Sequence, residues 1–463
     1  MRNISNMILA GGCLMMALCF GSCTEDSFPG LTYDEKDDVN AGNSESSDRV
    51  PVLLFTKDPF YVNVSGSTRS TGAYDQSEMY ETSEWAKHKF YIYAFRKKAE
   101  DNPPMNNAPR YDVLAKDDEY GMDCLVDGSL SDPSIRAGQP VTINVIDKGV
   151  EGMQVPEKDD EGRTIYRPIY YSAKYQQTGY DFFMYRIDDD YDYNSHLHRD
   201  AGSGQVYYDL ELDGAMDVMC GAAPQLTMDD VLNKLHYTNG SLTDAEYTDV
   251  MNILNYGYST YSAHRGVHPV VSLAHCLTRL KFTAYAGAET ANRLVIDAVK
   301  IKSKYKGKFV VASSGGEGLG LDLSVSDETK QLSLGTKDAN GRMVPLSGFK
   351  VVYDSSIPQW YDQEAKPMGE SILLPPSGKY EMTIEFTEMR DYGNGVTRPF
   401  KGTATYTLQA PKDFQYDYFK EGYIYDIKVA IFGSEKIQVI TSVQGWRQDE
   451  NGGSIEIEPD FEE

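Results

Sequence analysis

Alternation constrains this chain more than any other feature. Tyr380, Met382, Ile384 and Phe386 are separated by Glu381, Thr383 and Glu385, and Tyr423, Tyr425, Ile427, Val429 and Ile431 form a second apolar row. Leu280 to Ala286 alternates in the same way, while Lys89 to Phe95 reads as a strand buried on both faces. Successive side chains of an extended chain point to opposite faces, so each row needs a sheet on each side of a core. The 34 Tyr, 17 Phe and 40 Gly fit strands separated by turns, because aromatics pack on pleated surfaces and Gly supplies positive φ. One region departs from this pattern. Thr227 to Leu254 reads as helical: Thr243 and Glu246 have capping-box spacing, and Tyr247, Val250, Met251 and Leu254 share a face of a helix starting near Asp244. That helix is expected to pack across a sheet end.

The two ends of the chain are of another kind. Met1, Arg2 and the apolar run Met7 to Phe20 precede Gly21-Ser22-Cys23, which reads as a bacterial export signal ending at a cysteine that takes lipid. The run is too short to span a bilayer as a mature helix. Residues 1–22 are thus the signal peptide, and residues 23–49, rich in Asp, Glu, Ser, Asn and Gly, read as a flexible tether. What remains suffices for two domains. The boundary is placed between His268 and His275, giving an N-terminal domain over 50–270, a C-terminal domain over 271–450 and an acidic tail over 451–463. No fixed-period repeat is present.

Composition excludes some functions. The 70 Asp and Glu outnumber 44 Lys and Arg, for a formal charge of -26, so phosphate backbones would be repelled and nucleic acid is no partner. After processing, Cys124, Cys220 and Cys276 are neither a disulfide framework nor spaced as metal ligands, and at most one pair can bridge. No Gly-x-Ser-x-Gly elbow, His-Glu-x-x-His helix, phosphate loop or dinucleotide fingerprint appears, so neither an enzyme nor a cofactor is expected. His275 lies beside Cys276, but adjacent strand residues face opposite ways and cannot readily share a proton.

Between about Glu100 and Asp200 the N-terminal domain carries a long, irregular, acidic insertion. Its Asp188-Asp189-Asp190-Tyr191-Asp192 run has the oxygen ligands calcium prefers, yet lacks EF-hand spacing and the closing Glu, and a solvated acidic loop is the favoured reading. His196 and His198 have same-face spacing without a third metal ligand. Near the N-terminus, two extended pieces, Val50 to Phe55 and Phe60 to Val64, lead into Ser65 to Gly72, a small, polar, Gly-punctuated stretch open to cleavage at Arg69.

The lipoprotein signal, Arg69 after a short extended segment, Phe90 to Phe95 and the run His268 to Phe282 together resemble the fimbrillin family of the Bacteroidetes, the subunits of type V pili. Asp217-Val218-Met219, the Leu373-Leu374-Pro375-Pro376 turn, Tyr423-Ile424-Tyr425, Ile437-Gln438-Val439 and Trp446 continue the resemblance over most of the mature chain. It implies two tandem transthyretin-like Greek-key β-sandwiches and export as a lipoprotein, with acylation at Cys23. It also implies maturation by a surface arginine-specific protease, carried here onto Arg69, with Arg49 as the other candidate. Residues 50–65 become a removable first strand, with Phe60, Tyr61, Val62 and Val64 in a groove that a strand of a neighbouring subunit later fills. Ile455 and Ile457 in the tail are the candidate donor residues, in competition with a frayed acidic end or a last edge strand.

The role this implies is a structural or adhesive subunit, in a tip or accessory position, at the outer membrane and then in a surface fimbria. Its partners would be other fimbrial subunits, the protease and the membrane through its lipid. A second role stays open: a surface carbohydrate-binding lipoprotein with Trp85, Trp360 and Trp446 as stacking platforms.

Overall fold

The computed structural model describes residues 50, 52, 54–56, 90–96, 137–146, 149–158, 162–168, 171, 179–188, 191–193, 195–200, 203–313, 318–338, 343–411, 416–434 and 436–445. All lie in the unit that runs from Arg49 to Glu463. The architecture is mostly β, several small sheets in a sandwich-like arrangement with a minor helical part.

The first strands are β1 (Phe55–Thr56), β2 (Phe90–Arg96), β3 (Gln139–Ile146), β4 (Gly149–Lys158), β5 (Thr164–Pro168) and β6 (Tyr180–Arg186). After them come β7 (Leu197–Asp200), β8 (Gln205–Glu211) and β9 (Met219–Ala222). Three helices follow, α1 (Met228–Lys234), α2 (Asp244–Tyr256) and α3 (Thr260–Ala263), and then β10 (Val270–Val271) and β11 (Ala274–His275). Seven of these strands form one sheet in the order β11-β9-β6-β2-β3-β4-β5, every pair antiparallel.

The middle of that sheet is buried on both faces, as the sequence predicts for Lys89 to Phe95. Phe90, Ile92 and Ala94 of β2 and Tyr180, Phe182 and Met184 of β6 enter one core cluster. Their alternates, Tyr93, Phe95, Phe183 and Tyr185, enter another. A strand with covers on both sides loses the polar half of its alternation, which is why β2 reads FYIYAFR.

The remaining strands are β12 (Thr278–Ala286), β13 (Leu294–Lys304), β14 (Lys306–Ser313), β15 (Gly320–Asp322), β16 (Thr329–Ser333), β17 (Gly335–Lys337) and β18 (Met343–Pro345). They continue with β19 (Lys366–Pro367), β20 (Ile372–Leu374), β21 (Lys379–Asp391), β22 (Thr397–Gln409), β23 (Tyr423–Gly433) and β24 (Lys436–Gly445). One sheet runs β19-β12-β23-β24, with β20 also on β12; β12 and β23 are parallel. The opposing sheet runs β16-β13-β21-β22. Between them lie the rows read from the sequence: Leu280, Phe282 and Ala284; Tyr380, Met382, Ile384 and Phe386; Tyr425, Ile427, Val429 and Ile431.

Lys306–Ser313 and Gly320–Asp322, within the stretch assigned from sequence to the C-terminal domain, pair elsewhere. Strand β14 lies antiparallel on β8, from Lys306 opposite Glu211 to Ser313 opposite Gln205, in the sheet β15-β14-β8-β7. Phe309 and Val311 thereby join Val206, Tyr208 and Leu210 against the inner face of β2 and β6. Alternation states which side chains share a face and leaves the partner strand open.

The helical region departs from expectation in two details. The Thr243–Glu246 capping box forms and α2 begins at Asp244, but the buried residues are Val250 and Ile253, and Tyr247 is 53% exposed. A second capping box, Thr227 with Asp230, starts α1. The insertion read as irregular contains the regular strands β3, β4 and β5.

Candidate functional site

The outer face of the seven-stranded sheet is covered by Tyr258 and Ala263 from the end of the helical region, by Val271 and Leu273, and by the first described segment, residues 50–56, while α1 and α2 pack in a cluster of their own. Val50, Val52 and Leu54 are buried, Leu54 completely, among Phe90, Ile92, Tyr171, Phe182 and Met219. They are every second residue, the spacing by which an extended segment turns one edge of its side chains into a core. The backbone is held at both ends. Tyr171 N–H donates to the Val50 carbonyl at 2.9 Å, and Phe55 and Thr56 pair in parallel with Val270 and Val271 of β10.

The walls of this seat are aromatic. Tyr171 stands edge-on to Phe182, ring centres 6.2 Å apart, and Phe182 meets Tyr258 at 6.2 Å. Tyr258 closes the end, its hydroxyl donating to the Pro224 carbonyl and its carbonyl accepting from Tyr180 N–H. The Tyr171 hydroxyl is buried without a hydrogen-bond partner among the described residues, and burial holds its pKa well above the ordinary phenol range. Gly221 of β9 shapes the floor. A Cβ there would stand 2.0 Å from the Ser272 carbonyl oxygen, so only glycine lets residues 271–273 lie so close on β9.

The inner face of the same sheet is tied by tyrosines. The Tyr185 hydroxyl lies 2.8 Å from that of Tyr208, and Tyr208 donates to the Tyr193 carbonyl at 3.0 Å. The Tyr193 hydroxyl accepts from Ile187 N–H and donates to the Ile187 carbonyl. Burial raises the pKa of Tyr93, Tyr185 and Tyr208, so these phenols are neutral hydrogen-bond partners in the core.

Beside the seat, His275 and Cys276 turn to different partners. His275 Nδ1 lies 2.8 Å from Asp217 Oδ2, both side chains being almost fully buried. Cys276 Sγ lies 3.6 Å from Cys220 Sγ. The imidazole is thus engaged with a carboxylate and the thiol with a thiol. Asp217 lies 58 positions before His275, and nothing in the sequence signalled their meeting.

The other candidates are distributed over the surface. Asp188 and Asp192 act through their carbonyls, which accept from Tyr191 and Ser195 N–H in turns. Asp189 and Asp190 lie outside the described residues. His198 Nε2 contacts Asp209 Oδ2 at 2.9 Å and its ring stacks on Tyr207, whereas His196 is an exposed residue at φ 58°. Among the described residues no group of three His, Cys, Asp or Glu is placed to hold a metal ion, and no helix is long and apolar enough to cross a membrane. Trp360 packs edge-to-face on Tyr285 and Phe432, next to half-exposed Tyr361. Cys23, Arg49, Phe60, Tyr61, Val62, Val64, Arg69, Trp85, Cys124, Trp446, Ile455 and Ile457 lie outside the described residues.

Fold and site define a mostly β protein whose first described segment is docked in a core through Val50, Val52 and Leu54. No protein-family model and no curated protein matches the chain. Solved structures of Bacteroidetes surface proteins are similar to it. A putative cell adhesion protein from Bacteroides uniformis is 14% identical, over 87% of this chain and all of that one, at a TM-score of 0.38. One from Parabacteroides distasonis is 11% identical over 86% of this chain and 97% of that one, at 0.35. The fimbrial anchor protein Mfa2 from Porphyromonas gingivalis is 10% identical over 86% of this chain and 98% of that one, at 0.25. At these scores the superpositions assign neither a fold family nor a role.

Proposed function

We propose that the protein is a structural or adhesive subunit of a cell-surface fimbria, in a tip or accessory position, assembled by exchange of its first strand. The observation that carries this reading is the seat of Val50, Val52 and Leu54: side chains wholly inside a core, on a segment whose described backbone pairing is two residues of β10 and one bond from Tyr171. Packing stabilises such a segment, and its few ladder bonds leave the exchange open to any strand with the same alternation. Loss of the segment would empty three apolar pockets and unpair an edge, which a strand from another copy would satisfy.

In this reading Cys23 carries the lipid that holds the exported chain at the outer membrane, and an arginine-specific surface protease cuts at Arg69. Cleavage releases the segment through residues 50–65 with Phe60, Val62 and Val64, and Ile455 and Ile457 belong to a donor strand. The two tandem sandwiches have the transthyretin-like Greek-key form, with β14 and β15 crossing from the second half of the sequence to the first sandwich. The role is non-enzymatic; the buried His275 and Cys276 are both engaged in core contacts.

The test is the intact mass and oligomeric state of the mature protein before and after mild arginine-specific proteolysis. Loss of the segment through Arg69 together with ladder-like oligomers is expected. A protein that stays monomeric after losing that segment would overturn strand exchange.

A further inference from the structure

We infer that Cys220 and Cys276 are a disulfide-forming pair, a covalent staple across the strands that carry the seat of the first segment. The register brings them together. Ala274 stands opposite Cys220 and His275 opposite Met219, and Cys276 N–H donates to the Val218 carbonyl at 2.9 Å. Cys276, one residue past β11, is therefore diagonal to Cys220 on the same face of the β9–β11 pair. Their sulfurs are 3.6 Å apart, against about 2.05 Å in a formed bond. Gly320 leaves room beside Cys276: a Cβ added to it would lie 3.8 Å from the Cys276 sulfur.

The reaction balances as thiol–disulfide exchange. A disulfide-bearing oxidant, whether a protein dithiol oxidase or oxidised glutathione, accepts two electrons and two protons. One S–S bond forms between Cys220 and Cys276 and the oxidant's S–S bond becomes two thiols. Both cysteines are buried, and hydrogen bonding to Cys220 together with burial raises the Cys276 thiol well above its ordinary range. The thiolate is accordingly scarce in the closed fold, and exchange proceeds when β11 opens from β9 or before it docks.

The bond would close a loop holding α1, α2, α3 and β10. This loop supplies Tyr258, Ala263 and Val271 to the outer cover, and β10 is the strand to which β1 pairs. Resting on the strand-exchange reading, the staple has a use: it keeps the walls of the groove attached while the groove is empty. The pairing itself is independent of that reading.

Trypsin separates the three relevant thiols into residues 200–234 with Cys220, 266–279 with Cys276 and 117–136 with Cys124. The full chain, exported by its own leader and lysed in N-ethylmaleimide, is digested without reductant. The chain lacking residues 1–23, made under reducing conditions and equilibrated in excess oxidised glutathione, is treated alike. Linkage of peptide 200–234 to peptide 266–279, two mass units below their sum, is expected in both. A link in glutathione alone upholds the pair and removes the export reading. Two separately alkylated or glutathionylated peptides after equilibration, or a link from either to Cys124, would overturn the pair.

Discussion

Leu54→Ala tests whether the first segment is docked as a structural strand. Leu54 is wholly buried against the aromatic wall of the outer core. The substitution removes about three methylene equivalents, ~2.4 kcal/mol at ~0.8 kcal/mol each, and the unfilled cavity brings the cost to about 3–4 kcal/mol. If about 400 residues melt together, the unfolding entropy is ~0.8 kcal/mol per degree, so Tm falls by about 4–5 °C; it falls about twice as far if only about half of them melt with the segment. The cost of the substitution cannot exceed the free energy of undocking the segment, since a lifted segment no longer feels its cavity. A local readout therefore accompanies the melt. Tyr171 N–H, bonded to the Val50 carbonyl, should exchange its hydrogen at least about 100-fold faster, as a 3 kcal/mol loss requires. Val352, 77% exposed, is the control, and Val352→Ala should change neither. Equal behaviour of the two variants in melt and exchange would refute the docked strand.

Three further outcomes follow from the same region. Gly221→Ala puts a Cβ 2.0 Å from the Ser272 carbonyl oxygen, and the backbone shift should cost at least ~3 kcal/mol, seen as a fall in the urea midpoint; an unchanged midpoint contradicts the close approach. His275→Ala leaves the Asp217 carboxylate buried without its imidazole and should cost about 3 kcal/mol by thermal melt, while Asp217→Asn with His275→Gln together should recover part of the loss. His268, whose pKa burial and then nearby Lys234 lower to about 4, stays neutral in the fold while the unfolded chain takes up a proton near pH 6.5. Its contribution is present above pH 6.5 and lost as pH falls towards 4, so between pH 7 and 5 the wild type should lose about 2 kcal/mol more than His268→Gln; equal losses would dismiss the effect.

The sequence by itself determined the faces. Period-two rows such as Tyr380 to Phe386 state which side chains leave water together, and the two-sided burial of β2 is written in FYIYAFR because no charged residue interrupts it before Arg96. The α2 cap was equally legible, since a capping box is a contact between residues three apart. Val50 to Phe55, by contrast, is apolar throughout, so the sequence marks an extended apolar piece without saying which of its side chains enter the core.

What only tertiary structure decided is which rows face each other. The assignment of Lys306–Ser313 to β8, the exposure of Tyr247 and the meetings of Asp217 with His275 and Cys220 with Cys276 depend on strand order and register. Alternation repeats every two residues and is satisfied by any neighbour with the same period, so it carries no address for its partner. The address comes from volume and closure: Gly221 permits one close approach, β14 has the apolar side chains to wall the inner face of β2 and β6, and the first segment fills what the helices leave open.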